Sequence, residues 1–410
     1  MSEFLKLITP DEALCQLNGY VNTLVNIESI DTAKTLGRIL AKDINAPEDL
    51  PAFPRSTMDG YAARAEDTYG ASEGLPVYLR IIGEMPMGKH PEIPIHKGEV
   101  VKVHTGGAVA DGADAVIMIE NTQQVDKLTI EVSKPLAPGE NILRVGDDIK
   151  TGDSMFSSGH VLRPQDIGAL MALGIVQVEL FRPPRVAIIS AGDEVIAPEK
   201  TPEAGQVRDI NTYTISTLVR QAGAIPLPYG IIKDDAKALS QAVKTVISVA
   251  EIVVISSGSS VSTRDMTAGV ISSLGKPGVI VHGVSLRPGK PTILAIVDDK
   301  PIFGLPGNPV SAMVVFDLFV RPTIYRVGGC SHPPHLPTIS ARLTRNIPST
   351  TGREDYVPVT LEIIDGRYIA TPIFGESNLI TTLVRADGMA RIPLDKHGLT
   401  EGETVSVRLF

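Results

Sequence analysis

"RVAIISAGDEV", residues 185–195, carries the reading of the fold. Val186 to Ile189 form a continuous apolar run, as expected of a strand buried on both faces, and the run breaks at a Gly192-Asp193-Glu194 corner. Outward from it the texture alternates. Residues 212–222 place Ile215, Leu218, Val219 and Ala222 on one helical face, with Gly223 as a left-handed cap. "IPLPYGII" is strand-like, and "DAKALSQAVKTVISVA" puts Leu239, Val243, Val246 and Ile247 on one stripe. "EIVVISS" is again a strand; a helix near 265–274 and the strands "VIVHGVS", "TILAIV" and "PIFG" lead to a long helix after Pro309, which Pro322 is expected to interrupt. Alternating β and α over this span predicts a mostly parallel, doubly wound sheet with helices on both faces, assigned to residues 183–330.

The flanks read differently. "TPDE" at 9–12 is a capping box that opens a helix with Leu14, Leu17, Val21 and Leu24 at helical spacing. Residues 46–145 are short β-rich runs split by Gly, Pro and Asp turns, an all-β module. Residues 146–182 return to mixed texture and are expected to join residues 1–45 as one discontinuous domain. Residues 331–410 are β-rich again and predict a small terminal barrel.

Composition narrows the function. The 410 residues are 43% hydrophobic and 21% charged, ordinary for a soluble globular chain, and the net charge of -9 argues against non-specific nucleic-acid binding. Cys15 and Cys330 stand far apart with no metal-ligand spacing, so neither a disulfide framework nor a zinc site is expected. No secretory signal and no membrane-length apolar run is seen, which predicts a cytoplasmic protein with no membrane partner.

In a doubly wound sheet the ligand sits outside the carboxyl ends of the strands. Three loops there stand out: "SAGDEV" beginning at Ser190, "SSGSSVSTRD" with Ser257, Gly258 and Ser259, and "GLPGNPVSA" with Pro306, Gly307 and Asn308 before Pro309. All three are expected on one edge. Glycine permits close backbone approach, and the freed N–H groups bind oxyanions. Glu194 and Asp265 beside such donors make sense if a Mg²⁺ ion lies between them and a phosphate. "RPGKP" at 287–291 adds Arg287 and Lys290 as cations for the same ligand. No GK[ST], GxSxG or GxGxxG motif is present, which weakens P-loop, hydrolase-triad and dinucleotide readings.

Taken in order, "LITPDEAL", "LPAFPRSTMDGYA", "HTGGAVADGADAVIM", "NILRVGDDI", "SAGDEV", "GQVRDIN", "RPGKPT", "GLPGNPVSA", "GREDYVPV" and "ESNLITTLVRADGMARIP" resemble the molybdopterin molybdenumtransferase family, the MoeA proteins and the E domain of gephyrin, over nearly the whole chain. The resemblance implies an elongated four-domain protomer with a MogA-like α/β domain, a homodimer, and Mg²⁺-dependent cleavage of adenylylated molybdopterin in which molybdate enters and AMP leaves. It further implies that Asp59, Thr105 and Gly106 come from the partner protomer's β module, with Asp148, Asp234, Arg287, Lys290, Pro306, Asn308 and Ser377 nearby. Implied partners are a molybdopterin adenylyltransferase and apo-molybdoenzymes. Departures are Ser257 and Ser262 where glycines are usual and Leu143 in a segment that is usually basic. A non-catalytic pterin-binding carrier or scaffold of the same fold, or a tungstate-specific paralogue, are the alternatives.

Overall fold

The computed structural model describes residues 7–89, 92, 94–258 and 261–410, the last range without the side chains of 261–264. The chain divides into two compact units, one of residues 43–157 and 168–175, the other of the remainder.

The larger unit is built on a six-stranded sheet. Its strands are β1 (Arg185–Ala191), β2 (Ile225–Ile232), β3 (Ile252–Ser257), β4 (Pro277–His282), β5 (Ile293–Val297) and β6 (Lys300–Pro306), in spatial order β2-β1-β3-β6-β5-β4. β2, β1, β3 and β6 are mutually parallel, whereas β5 runs against both β6 and β4. The exception follows from the connection: β5 and β6 are joined by Asp298 and Asp299, both at positive φ, the two-residue hairpin in which aspartate is tolerated. Helices Asn211–Gln221, Ala236–Ile247 and Val261–Leu274 cross from β1 to β2, from β2 to β3 and from β3 to β4, each between strands that run the same way.

Alternate residues of the strands enter two cores. Val186, Ile188, Val254 and Phe303 pack with Ile215 and Val219 of helix Asn211–Gln221 on one face. Ala187, Ile189, Val253 and Ile255 pack with Leu239 and Val243 of helix Ala236–Ile247 on the other. The continuous apolar strands thus reflect burial on both sides, as the sequence predicts. Helix Pro10–Asn18, with the expected capping box at Thr9 and Glu12, buries Ala13 and Leu17 in the first of these cores. Strand Ile27–Asp31 pairs antiparallel with Gln177–Phe181.

Pro322 does not interrupt the last helix. Pro309–Val315 continues through a π-helical stretch, Phe316–Val320, into helix Arg321–Val327. A proline has no N–H to give the preceding turn, and a widened turn upstream accommodates that gap without ending the helix.

Residues after 331 form a closed five-stranded barrel, whose ring runs Glu354–Ile364, Arg367–Pro372, Thr338–Leu343, Thr404–Leu409, Gly388–Ile392 and back to the first. It is tied to the sheet domain in two ways. Leu286–Arg287 pairs in parallel with Glu354–Asp355, and Tyr356, Leu383 and Met389 share the core of Phe303 and Phe316.

The smaller unit holds its own six-stranded sheet, in the order Ala115–Met118, Gly60–Ala63, Glu99–Val103, Val77–Glu84, Thr129–Val132, Thr122–Gln124. Gly60–Ala63 has none of the β-branched residues that mark strands, and its Asp59-Gly60 start reads as a turn. Packing explains the glycine: a Cβ at Gly60 would fall 1.8 Å from the carbonyl oxygen of Ile117 on the neighbouring strand.

Candidate functional site

The sheet register brings the expected loops to one rim. At the carboxyl ends, Ala191 lies opposite both Ile232 and Ser257, and Ser257 lies opposite Pro306. Ile293, at the start of antiparallel β5, pairs with Gly304, so the preceding Arg287–Lys290 turn exits at the same edge. The loops also touch. A Cβ at Gly258 would lie 3.4 Å from Glu194 Oε1, and one at Gly307 would lie 2.9 Å from the Ser257 carbonyl oxygen. The Asp234 N–H donates to Asp193 Oδ1 at 3.3 Å. Ser190 and Ser257 are buried in their strand ends, and Gly258 is half-buried; Ser259 lies outside the described residues.

Asn211, which was not among the residues expected from sequence, fastens two of these loops from below. Its Nδ2 donates to Ser256 Oγ and to the Gly307 carbonyl, both at 2.8 Å, and the residue is 6% exposed. It opens the helix after "GQVRDI", and only the folded register reveals what its amide reaches.

Beside the rim is a cleft of about 710 Å³ between the sheet domain and the barrel. Arg287, Lys290, Pro306, Asn308 and Ser377 all line it. Asn308 Nδ2 donates to Ser377 Oγ at 2.8 Å, and the Val310 N–H donates to the Ser377 carbonyl, so the loop before Pro309 is latched to the barrel side. The barrel contributes a third cation, Arg353, within the quoted "GREDYVPV" but not singled out there. Its selection needs the pairing of residues 286–287 with 354–355, which has no local signal.

The two expected metal ligands are not among the residues lining this cleft. Glu194 is half-buried over Gly258, and Asp265 is exposed in helix Val261–Leu274, just downstream of the second loop. Among the described residues no three His, Cys, Asp or Glu side chains converge as a metal cage. Two carboxylates with hard oxygen donors still fit Mg²⁺, which ordinarily takes one or two carboxylates and completes its shell with water and substrate phosphate.

In the smaller unit, Asp59, Thr105 and Gly106 do come together. Asp59 Oδ1 accepts from the Thr105 N–H at 2.8 Å and from its hydroxyl at 3.2 Å. These bonds, the backbone one foremost, hold the Asp59 carboxyl below the usual aspartate range. His104 stands beside it, Nδ1 3.7 Å from Asp59 Oδ1 and Nε2 2.8 Å from Glu84 Oε1. Gly106 takes a positive φ of 80°, which glycine adopts without strain. Asp59 and Thr105 are exposed, and Asp148, also exposed, lies on a separate turn of this unit where its N–H donates to the Leu50 carbonyl. Leu143 is exposed, and the neighbouring Arg144 supplies a cation to a second hollow, about 610 Å³, that includes Gly106.

Comparison with known proteins covers most of the chain. Residues 8–174 match the MoeA N-terminal region (domain I and II), 187–326 a probable molybdopterin binding domain, and 340–410 the MoeA C-terminal region (domain IV). A putative molybdopterin biosynthesis protein, MJ0666, of Methanocaldococcus jannaschii is 36% identical over 96% of this chain and 95% of its own. The molybdopterin molybdenumtransferase of Bacillus subtilis is 32% identical over 92% of this chain and 88% of its own. A crystal structure of a molybdopterin biosynthesis moeA protein from Pyrococcus horikoshii OT3 superposes with a TM-score of 0.86 at 31% identity, covering 99% of this chain and 100% of that one.

Proposed function

We propose, for a chain that belongs to the MoeA family of molybdopterin molybdenumtransferases and so to the transferases of molybdenum cofactor biosynthesis, that it takes adenylylated molybdopterin and molybdate and releases AMP and metal-loaded cofactor. One observation carries this reading: the strand register gathers three glycine-bearing loops at one rim, beside a cleft with Arg287, Lys290 and Arg353 on its walls. Such a surface suits a ligand with several negative charges, and the chain's net charge of -9 means the cations are local to the site.

Each residue has a physical task. Arg287, Lys290 and Arg353 would hold phosphate or oxyanion oxygens by charge-assisted bonds. Gly258 and Gly307 let the loops pack closely at the rim, since a side chain at either would press on Glu194 or on the Ser257 carbonyl. Asn308 and Ser377 fix the cleft wall through their mutual bond. Glu194 and Asp265 would hold Mg²⁺, which when bound supplies neutralisation of the charge on the phosphoanhydride as water adds across it. Asp59 stays ionised because Thr105 solvates it, and would act from the partner protomer of a homodimer.

The test is incubation with adenylylated molybdopterin and Mg²⁺, with molybdate or tungstate in turn, following AMP and metal-loaded cofactor. Asp265→Ala is expected to abolish Mg²⁺-dependent AMP release; unchanged release would remove that carboxylate from the reaction. Failure of the wild-type protein to release AMP with either oxyanion would overturn the reading in favour of a pterin-binding carrier.

A further inference from the structure

Asp355 presents a contradiction. It lines the cationic cleft, yet it is a carboxylate and would repel an anionic ligand. Its residue exposure is only 3%, and a buried charge of this kind is seldom retained for stability alone, because a well-packed apolar residue serves as well or better.

Its contacts resolve this. Arg353 grips it with two donors, Nε to Oδ1 at 2.9 Å and Nη2 to Oδ2 at 3.3 Å. Arg287 approaches from the other side, Nη1 to Oδ2 at 3.9 Å. The main chain sets this up, since Arg287 and Asp355 are register partners across the short parallel pairing of sheet domain and barrel. One buried carboxylate therefore grips the barrel's Arg353 and lies at ion-pair distance from Arg287 of the sheet domain, on the wall of the same cleft. Arg353 and Arg287 remain 33% and 63% exposed along their side chains, so the donors not spent on Asp355 are available to a ligand. An arginine fixed in this way loses less rotamer freedom when it binds than one that is free in solvent.

We propose that Asp355 is a positioning residue that pre-aligns Arg353, with Arg287 at ion-pair distance, to receive a tetrahedral oxyanion, either free molybdate or a phosphate of the adenylylated substrate. The proposal rests on the cleft being the anion site.

Calorimetric titration of the full chain with molybdate alone and with AMP alone separates the two sources. Asp355→Asn, nearly the same shape, is expected to weaken one of the two by about tenfold, the scale of one charge-assisted contact. Asp355→Glu, which keeps the charge, is expected to recover part of that loss. The probe that loses affinity is the anion held there. A double-mutant cycle then distinguishes positioning from general structural support. If Asp355 acts through Arg353, Asp355→Asn has little further effect in an Arg353→Ala background, whereas separate full losses that simply add would overturn the proposal. Wild-type affinity for both probes in Asp355→Asn would also overturn it. Should Asp355→Asn fold poorly, Arg353→Lys keeps the charge but loses the fork, and it is expected to show the same loss; wild-type binding there counts against the proposal. If Arg353→Ala and Lys290→Ala both leave the two titrations unchanged, the cleft reading itself falls, a result distinct from failure at Asp355 alone.

Discussion

The rim of the doubly wound sheet and the Asp59 corner of the smaller unit both present residues expected to meet substrate, but they are held in opposite ways. The rim is fixed from beneath: strand register sets its level, and the buried Asn211 and Asp355 fasten its loops and arginines. The Asp59 corner is fixed by bonds among exposed groups, Thr105, His104 and Glu84. Exposed pairs contribute little to folding, whereas removing one partner of a buried pair is expensive. The rim should therefore couple chemistry to stability, and the corner should not.

The largest expected effect tests whether the corner stands on a rigid base. Gly60→Ala places a methyl where the Ile117 carbonyl oxygen already is, and should destabilise the smaller unit by about 3 kcal/mol or more, read as an early denaturant transition. A variant that unfolds like the wild type would mean that this sheet yields easily.

Next is the rim itself. Asn211→Ala removes the donor from one buried and one half-buried acceptor and should cost about 2 kcal/mol, with AMP release falling as the two loops separate. A loss of activity with full stability would show that the rim is not locked from below.

Acid offers a third probe. Burial pushes the Asp166 carboxyl up, but Arg163 and His160 outweigh it and hold it at about 2, well below an unfolded aspartate near 4. A depressed folded value contributes stability that is present above the unfolded value and lost as pH falls towards the folded one. That loss should be on the order of 2 kcal/mol between about pH 4 and pH 2. Asp166→Asn should flatten this part of the stability profile; a slope unchanged from the wild type would assign it to other groups.

The smallest effect on folding is the sharpest contrast. Asp59→Asn should leave the melting temperature unchanged, as is usual for an exposed position, yet abolish metal insertion. A clear drop in melting temperature would erase the distinction between the two regions.

The parts of the fold legible in the sequence were those with local signals. Continuous apolar strands, the Thr9–Glu12 capping box and the Gly-Pro-Asn-Pro corner each declare themselves within a few residues, and topology then requires parallel strand ends to share an edge. What could not be read depends on distant partners. Asn211 and Asp355 gain their roles from residues 45, 96 and 68 positions away, across pairings that no short window displays. Gly60–Ala63 carries no local strand signal for a related reason: its composition answers to the Ile117 carbonyl and not to β propensity. The continuous helix through Pro322 shows the converse, a strong local signal absorbed by a π-helical stretch upstream.

The two-rung junction of Leu286–Arg287 with Glu354–Asp355 bears on any attempt to dissect this protein. A polypeptide cut off after Cys330 would keep every strand of the doubly wound sheet but lose one wall of the cleft, and the Arg287 guanidinium would wave in bulk solvent. It would also strip Tyr356, Leu383 and Met389 from around Phe316, leaving a greasy scar that invites clumping. The terminal barrel is thus no detachable appendage; the cleft is unfinished without it.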